Sequence, residues 1–299
     1  MNRRSTLIDE LNIDSSITLK ESSKICLRNL AAHKPRFANR RYPRKRCAAV
    51  LVALFVGRMG DLYVILSSRA KTLRTYAGDT SLPGGKWEEG DEDMEDTARR
   101  EAFEEIGLPI DRHRVPLLCV LDPFLARNQL IVTPVVVLIK DNRLEPVLNK
   151  AEVSQLFSHP LRSLLQTTAP LTMSTLIPAH PYLAYQNPDT HYYSWYDIKW
   201  HIGKTPVRMH TFLTGREDQG MKPLLGLTAS ILIEVAEAGY KRAPSFAKFA
   251  PGEPPRHERI KYAMVNEPLL AQAAQEDGIT EWLARSKRKV DNAVQQARL

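Results

Sequence analysis

The chain has 299 residues, of which 43% are hydrophobic and 25% charged, and its formal net charge is +8 at pH 7. This length allows about one to two domains with a sizeable core, and three isolated cysteines exclude a four-cysteine zinc site. No apolar run approaches the roughly 20 residues of a membrane span and the start lacks the hydrophobic region of a signal peptide, so we expect an intracellular protein.

The first 46 residues carry the excess charge. They hold 12 Lys or Arg residues against 4 Asp or Glu, a difference equal to the net charge of the whole chain. Residues 1–46 are predicted to be a basic N-terminal extension, and because blocks of like charge are usually solvated, the basic cluster before the first strand is predicted to be a flexible lead-in. Alternatively, their basic cluster attracts polyphosphates, nucleic acid or an anionic membrane. The cluster consists of Arg36, Arg40, Arg41, Arg44, Lys45 and Arg46.

Two apolar runs follow, at residues 48–56 and 61–67, and both are predicted strands. The sequence Gly57-Arg58-Met59-Gly60 between them indicates a hairpin.

A Gly-rich turn at Leu82–Gly85 then leads into a predicted acidic helix that stops at Gly107. Glu101, Glu104 and Glu105, at i, i+3 and i+4, project from one face of this helix. The apolar stripe of the helix is formed by Met94, Ala98, Ala102 and Ile106. Glu105 falls within that stripe, where a carboxylate is costly without a partner. Clustered carboxylates suit Mg2+ or Mn2+, so the pattern predicts a divalent-metal site that holds phosphate.

The alternative for these acids is a solvated helix face, which is the usual fate of a charge run. Four further acids, in and before the first turn, are interpreted as complementing the helix dipole and capping it, with no part in the chemistry. They are Asp91, Asp93, Glu95 and Asp96.

The segment from Gly85 to Leu108 resembles the signature box of the Nudix hydrolases, G-x5-E-x7-R-E-U-x-E-E-x-G-U, where U is a bulky aliphatic residue. Its fixed positions are occupied by Arg100, Glu101, Glu104, Glu105, Gly107 and Leu108. Gly85 and Arg100 are one residue further apart than in the general box, so either Asp91 or Glu92 stands for the first glutamate.

A second motif lies upstream. Residues 65–70, with Arg74, Gly78 and Leu82–Gly85, resemble the signature LLTxR(S/A)x3Rx3Gx3FPGG of the coenzyme A diphosphatase branch of the Nudix family. The longer spacing of the box is similar to that branch too. The resemblance implies an α/β fold: a Nudix-type α/β/α sandwich with a mixed sheet and a loop-helix-loop metal-binding box.

The same resemblance implies hydrolysis of coenzyme A or acyl-coenzyme A to 3',5'-ADP and 4'-phosphopantetheine or its acyl form, with Mg2+ or Mn2+. The implied catalytic residues are Arg100, Glu101, Glu104 and Glu105, of which the three glutamates would hold the metal and Arg100 would orient them. The candidates for substrate binding are Arg69, Arg74, Gly84 and Gly85. The two arginines are candidates for the 3'-phosphate or the diphosphate of the substrate, and ordinary surface charge is the alternative for them. The general base stays open between Glu104, Glu105, Glu152 and another acid on a later loop.

Downstream, residues 117–121 and 131–139 are predicted strands, and residues 151–157 and 227–238 are predicted helices. The second of these helices is apolar around most of its surface, so we expect it to be buried. This order of elements favours a mixed sheet held between helices.

Between residues 170 and 206 the chain is rich in aromatic and histidine rings. Packing within a hairpin is expected for these rings, and stacking on adenine is the alternative. They belong to Tyr182, Tyr185, His191, Tyr192, Tyr193, Trp195, Tyr196, Trp200 and His201.

Three regions are therefore predicted: a basic extension at 1–46, a Nudix hydrolase domain at 47–242, and a linker with a helical tail at 243–299. The ending Ala297-Arg298-Leu299 is similar to a peroxisomal address, which implies a peroxisomal location and a partner among import receptors. A cytoplasmic location is the alternative. No nucleic-acid partner is predicted.

Two other functions stay open. One is a Nudix enzyme that cleaves ordinary or oxidised nucleoside triphosphates such as 8-oxo-dGTP. The other is a non-catalytic Nudix-like module that binds nucleotide or coenzyme A, and the presence of all three box glutamates argues against it.

Overall fold

The computed structural model describes residues 19–38, 40–73, 75, 77–141, 144–170, 192–200, 205–217 and 220–279. Several predictions fall outside these residues. They concern Arg74, Tyr182, Tyr185, His191, His201 and the Ala297-Arg298-Leu299 ending.

The main sheet is built around its central strand, β1 (Cys47–Val56). β2 (Leu62–Arg69) pairs with β1 antiparallel, and the predicted hairpin joins them. β7 (Ile131–Leu138) lies parallel to β1 on the other side, and β5 (Leu117–Val120) pairs antiparallel with β7. These four strands confirm the four predicted from apolar runs, and the pairing confirms a mixed sheet.

Three short strands pair with the long strands of this sheet: β3 (Thr80–Ser81) with β2, β4 (Gly84–Lys86) with β1, and β6 (Phe124–Leu125) with β7. β4 pairs antiparallel with β1, so that Gly84 lies opposite Val50. A Cβ atom on Gly84 would overlap with the β1 backbone, so glycine is required for this close approach.

The helix predicted at residues 151–157 is wrong, because these residues begin β8 (Val153–Pro160), which pairs antiparallel with β2. Val153, Phe157 and His159 are buried while the residues between them are more exposed, which is the pattern of a half-buried strand. The residues just before β8 form a single turn, in which the Ala151 amide donates to the Asn149 side chain.

The acidic helix α2 (Met94–Ile106) covers one face of the sheet, where Ala98, Ala102 and Ile106 pack against β1 and β7. The Asp93 side chain accepts hydrogen bonds from two amides of the first turn and caps the helix. Gly107 ends it with φ of 67°, in the left-handed conformation.

Two helices cover the other face: α1 (Glu21–Ala32) and α3 (Gly226–Tyr240). The buried helix predicted at 227–238 is thus confirmed as α3. Helices on both faces of a mixed sheet confirm the predicted α/β/α sandwich.

Within the predicted basic extension, residues 21–32 form the helix α1, which the sequence analysis did not predict. Cys26, Leu27 and Leu30 are fully buried, and the Asn29 side chain donates a 2.7 Å hydrogen bond to the carbonyl oxygen of Gly239 in α3. These three buried residues form an apolar stripe at helical spacing, a signal that the high basic content of residues 1–46 made easy to overlook.

The basic cluster also makes specific contacts. Arg46 donates hydrogen bonds to the carbonyl oxygens of Asn128 and Gln129, and Lys45 pairs with Glu276 at 3.3 Å. These contacts tie the start of β1 to the loop after β6 and to the C-terminal helices.

A second, antiparallel sheet contains β9 (Tyr193–Lys199), β10 (Pro206–Glu217) and β11 (Gly220–Leu225). The ring of Tyr193 packs against the ring of Phe212, its cross-strand partner in β10, with centroids 5.1 Å apart. The expected hairpin packing of aromatic residues is therefore confirmed for Tyr193.

The last described elements are α4 (Arg256–Asn266) and α5 (Pro268–Glu276), which pack with Leu125 and Ile131 of the main sheet. The preceding segment, 243–255, has no helix or strand, but Ala250 within it is buried. The domain limits at residues 46 and 242 stay predictions. Within the described ranges, no helix has the length and apolar character to cross a membrane.

The packing of α1 generates a stability prediction. Leu30→Ala should lower the free energy of unfolding by about 2–5 kcal/mol, because it removes a fully buried side chain. Ile25→Ala, on the same helix at a position 46% exposed, should cost about 0.5 kcal/mol or less. Urea unfolding of both variants measures the difference, and equally small losses would show that α1 does not contribute to the core.

Candidate functional site

The candidate site lies where β4 meets the buried face of α2. Gly85 is in contact with the Glu101 side chain so closely that a Cβ atom there would overlap with the carboxylate. A glycine is thus required at the position where the sequence predicts close approach to a charged group.

Glu105 has the most perturbed carboxyl group of the site. Its side chain accepts a hydrogen bond from the Gly84 amide, yet the residue is only 5% exposed. Burial, followed by the neighbouring charge of Glu101, raises the pKa of Glu105 to about 8, while Arg69 acts in the opposite direction and Glu152 adds to the increase. Its position inside the apolar stripe agrees with the sequence analysis.

Glu101 is also shifted. Burial raises the pKa of its carboxyl group, and the adjacent Arg100 partly offsets this effect. The positive charge near Glu101 and Glu105 is therefore too small to stabilise the ionised forms of both carboxyl groups at once.

Arg100 is held between the loop before α2 and the glutamates. Its Nε and Nη2 atoms donate to the two carboxylate oxygens of Asp91, both at 3.0 Å, and its Nη1 donates to Glu101 at 3.1 Å and to Glu104 at 3.4 Å. This bidentate geometry fixes the guanidinium plane.

Asp91 is therefore misassigned by the sequence analysis as a mere first-turn acid. It is buried and accepts hydrogen bonds from Arg100, from the Thr97 hydroxyl and from the Glu88 amide, and the Arg100 hydrogen bonds lower its pKa. The open choice between Asp91 and Glu92 is resolved in favour of Asp91, because Glu92 is exposed. The extra residue between Gly85 and Arg100 is the signal in the sequence that could have indicated a different role for the acids of this loop than helix capping.

Glu104 differs from the other two glutamates, since its side chain is 53% exposed and contacts Arg100. Among the described residues, no three acidic, histidine or cysteine side chains are already gathered for a metal ion. The donor chemistry nevertheless fits a hard divalent cation, because the partly buried carboxyl group of Glu101 and the buried one of Glu105 offer oxygens whose ionised forms a cation would stabilise.

Two further groups border Glu105. The Nε atom of Arg69 is buried and has no hydrogen-bond partner among the described residues, which leaves a donor for a ligand. Glu152 lies on the turn after Asn149, whose amide donates to the Glu105 carbonyl oxygen at 3.0 Å. Arg69 and Glu152 are both among the site candidates predicted from the sequence.

A cleft of about 1500 Å³ extends from β4 to the second sheet and the C-terminal helices. Gly84, Gly85 and Arg69 line it at the end near Glu105, and Tyr196 and Trp200 line it farther along. Two members of the aromatic segment thus face a cavity large enough for a nucleotide-sized ligand, as the stacking alternative requires.

The chain has clear similarity to known proteins. A family model described as the NUDIX domain matches residues 45–179. The Arabidopsis thaliana protein "Nudix hydrolase 15, mitochondrial" is 34% identical over 244 residues, which cover 81% of this chain and 75% of that protein.

Two other relatives have more specific names. "Peroxisomal coenzyme A diphosphatase NUDT7" of Mus musculus is 31% identical over 199 residues, covering 66% of this chain and 72% of that protein. "Peroxisomal coenzyme A diphosphatase 1, peroxisomal" of Saccharomyces cerevisiae is 37% identical over 173 residues, covering 48% of this chain and 51% of that protein.

The raised pKa of Glu105 predicts a pH dependence of stability in chelator-treated protein. Between pH 4.5 and about 8 the unfolded chain ionises at this position while the folded chain does not, so the free energy of unfolding should decrease as pH rises through this window. The decrease should exceed that of Glu105→Gln by at least about 1 kcal/mol, since one pKa unit corresponds to about 1.4 kcal/mol.

Urea unfolding at pH 5 and pH 8 measures this effect. The exposed Glu92→Gln variant serves as the control and should keep the dependence of the unsubstituted protein. Identical pH dependence in all three proteins would contradict the burial of an ionisable Glu105.

Proposed function

Because the chain belongs to the Nudix hydrolase family, we propose that it hydrolyses the diphosphate linkage of coenzyme A and acyl-coenzyme A. The products would be 3',5'-ADP and 4'-phosphopantetheine or its acyl form.

The observation that carries this proposal is that the two sequence motifs meet at one carboxyl group. Glu105 of the box lies beside the Gly84 amide and near the charge of Arg69, and both of these residues belong to the upstream motif. The residues that resemble the coenzyme A branch are therefore part of the same site as the box glutamates. The mouse and yeast relatives named coenzyme A diphosphatases support the choice of substrate.

Glu101, Glu104 and Glu105 would hold Mg2+ or Mn2+ in this proposal. When bound, such an ion supplies charge neutralisation for the diphosphate and lowers the pKa of an attacking water. The Glu104 side chain is exposed beside Arg100, so it can rotate toward the ion without disturbing buried side chains.

The chain's own residues have distinct proposed roles. Asp91 holds Arg100, and Arg100 orients Glu101 and Glu104. Arg69 offers its unpartnered Nε donor to the diphosphate, while Gly84 and Gly85 let the backbone approach it. The general base stays open among Glu104, Glu105 and Glu152, all of which lie on α2 or beside it.

A peroxisomal location is a further part of the proposal. It is supported by the names of the mouse and yeast relatives, whereas the Arabidopsis relative is named mitochondrial.

The activity is tested with coenzyme A, acetyl-coenzyme A, ADP-ribose, NADH and 8-oxo-dGTP in the presence of Mg2+ or Mn2+, with products resolved by chromatography and mass. Coenzyme A should give 3',5'-ADP. Glu101→Gln and Glu104→Gln should lower kcat/KM on the order of a hundredfold or more, because they remove charge from the metal site. Glu92→Gln, which removes an exposed charge from the loop before α2, should retain activity.

Other product patterns would change the assignment. Cleavage of 8-oxo-dGTP with inert coenzyme A would favour the nucleoside triphosphate function. Absence of turnover with every substrate would favour the non-catalytic module, and full activity in both glutamate variants would exclude the proposed metal site.

Metal binding has a readout that does not depend on turnover. At pH 8, Mg2+ or Mn2+ should raise the Tm of the unsubstituted protein by several degrees, because an ion that binds only the folded chain stabilises it. Glu105→Gln should show a much smaller increase in differential scanning fluorimetry. An equal increase in both proteins would place the ion elsewhere.

A further inference from the structure

The cleft has a second basic region, remote from Glu105, at the start of α4. Arg256 and Arg259 both line the cleft there, and their side chains are 19% and 16% exposed. Arginines this well buried are unusual unless they are fully paired or bind an anion.

The acidic neighbours of these arginines leave donors free. Glu234 approaches Arg256 only to 3.6 Å, longer than a hydrogen bond, and is shared with Lys248 at 3.5 Å. Glu253 pairs with Arg259 at 3.3 Å, but the buried Nε of Arg259 has no hydrogen-bond partner among the described residues.

Burial also disfavours the charged forms of both arginines in the absence of an anion. Burial lowers the pKa of Arg256, and the nearby charge of Arg36 adds to this decrease against the opposing effects of Glu234 and Asp122. Burial likewise lowers the pKa of Arg259, Glu253 opposes this decrease, and Arg256 adds to it. A bound phosphate would reverse both effects.

The position of this region relative to β4 follows from the strand pairing. The guanidinium of Arg256 lies 3.8 Å from the ring centroid of Phe124, which pairs with Val132. Val132 pairs with Ala48, and Ala48 pairs with Lys86 of β4. Three steps of about 4.8 Å place the Cα atoms of Phe124 and Lys86 roughly 14 Å apart. Side chains that project into the cleft from both ends shorten that gap.

We propose that Arg256 and Arg259 bind the 3'-phosphate of coenzyme A and so determine specificity for a substrate that carries a phosphate away from the scissile diphosphate. This inference rests on the proposed function. It separates the two arginine regions of the cleft: Arg69 serves the diphosphate beside Glu105, and the α4 arginines serve the remote phosphate.

The test compares steady-state hydrolysis of coenzyme A and 3'-dephospho-coenzyme A by Arg256→Gln, Arg259→Gln and the unsubstituted protein. Loss of a charge-assisted hydrogen bond should raise the KM for coenzyme A about tenfold or more and leave the KM for 3'-dephospho-coenzyme A within about twofold. Arg256→Lys, which keeps the charge, should recover part of the difference.

Lys261→Gln is the matched control, because it removes one positive charge from the same helix outside the cleft. It should leave both KM values unchanged, and thermal unfolding checks that each variant is folded. If one arginine variant fails to fold, the other gives the comparison.

The outcomes distinguish this inference from the function on which it rests. If the unsubstituted protein hydrolyses both substrates and the arginine variants change both KM values equally, or neither, the phosphate assignment is overturned while the proposed function stands. If the unsubstituted protein hydrolyses neither substrate, both are overturned.

Discussion

The buried carboxyl group of Glu105 is the constraint on which the rest of the site depends. A carboxylate inside an apolar helix stripe opposes folding unless its charge is compensated. The fold supplies part of that compensation through the Gly84 amide and the nearby charge of Arg69, but Glu101 and Glu152 act against it. An additional positive charge would therefore stabilise the ionised carboxyl groups. The helix cap at Asp93 and the left-handed Gly107 hold both ends of α2, and with them the positions of these carboxyl groups.

The central strand β1 converts two distant stretches of sequence into one site. It pairs with β2, which carries Arg69, and with β4, which carries the two glycines, and it forms the floor against which α2 packs. Small residues at this contact let the helix approach the sheet closely. The positions of the site's side chains are thus determined by the buried contact between α2 and β1.

The sequence was sufficient where signals are local. The apolar runs predict β1, β2, β5 and β7, and the stripe, cap and terminal glycine predict α2 with Glu105 on its buried side. It was insufficient where tertiary contacts decide. The strand at Val153–Pro160 exists because β2 offers it a partner, α1 is buried because α3 offers it a groove, and Asp91 acquires its partner only when the loop folds back over Arg100.

The cleft brings together parts of the chain that are far apart in sequence. Its walls include Arg36, which precedes β1, and Arg256, which follows the second sheet. A ligand in contact with both walls would act as a noncovalent tie between them, and their local opening would then have to break its contacts as well. Amide hydrogen exchange in α4 is therefore thermodynamically linked to occupancy of the cleft, even though α4 lies outside the segment that carries the signature box.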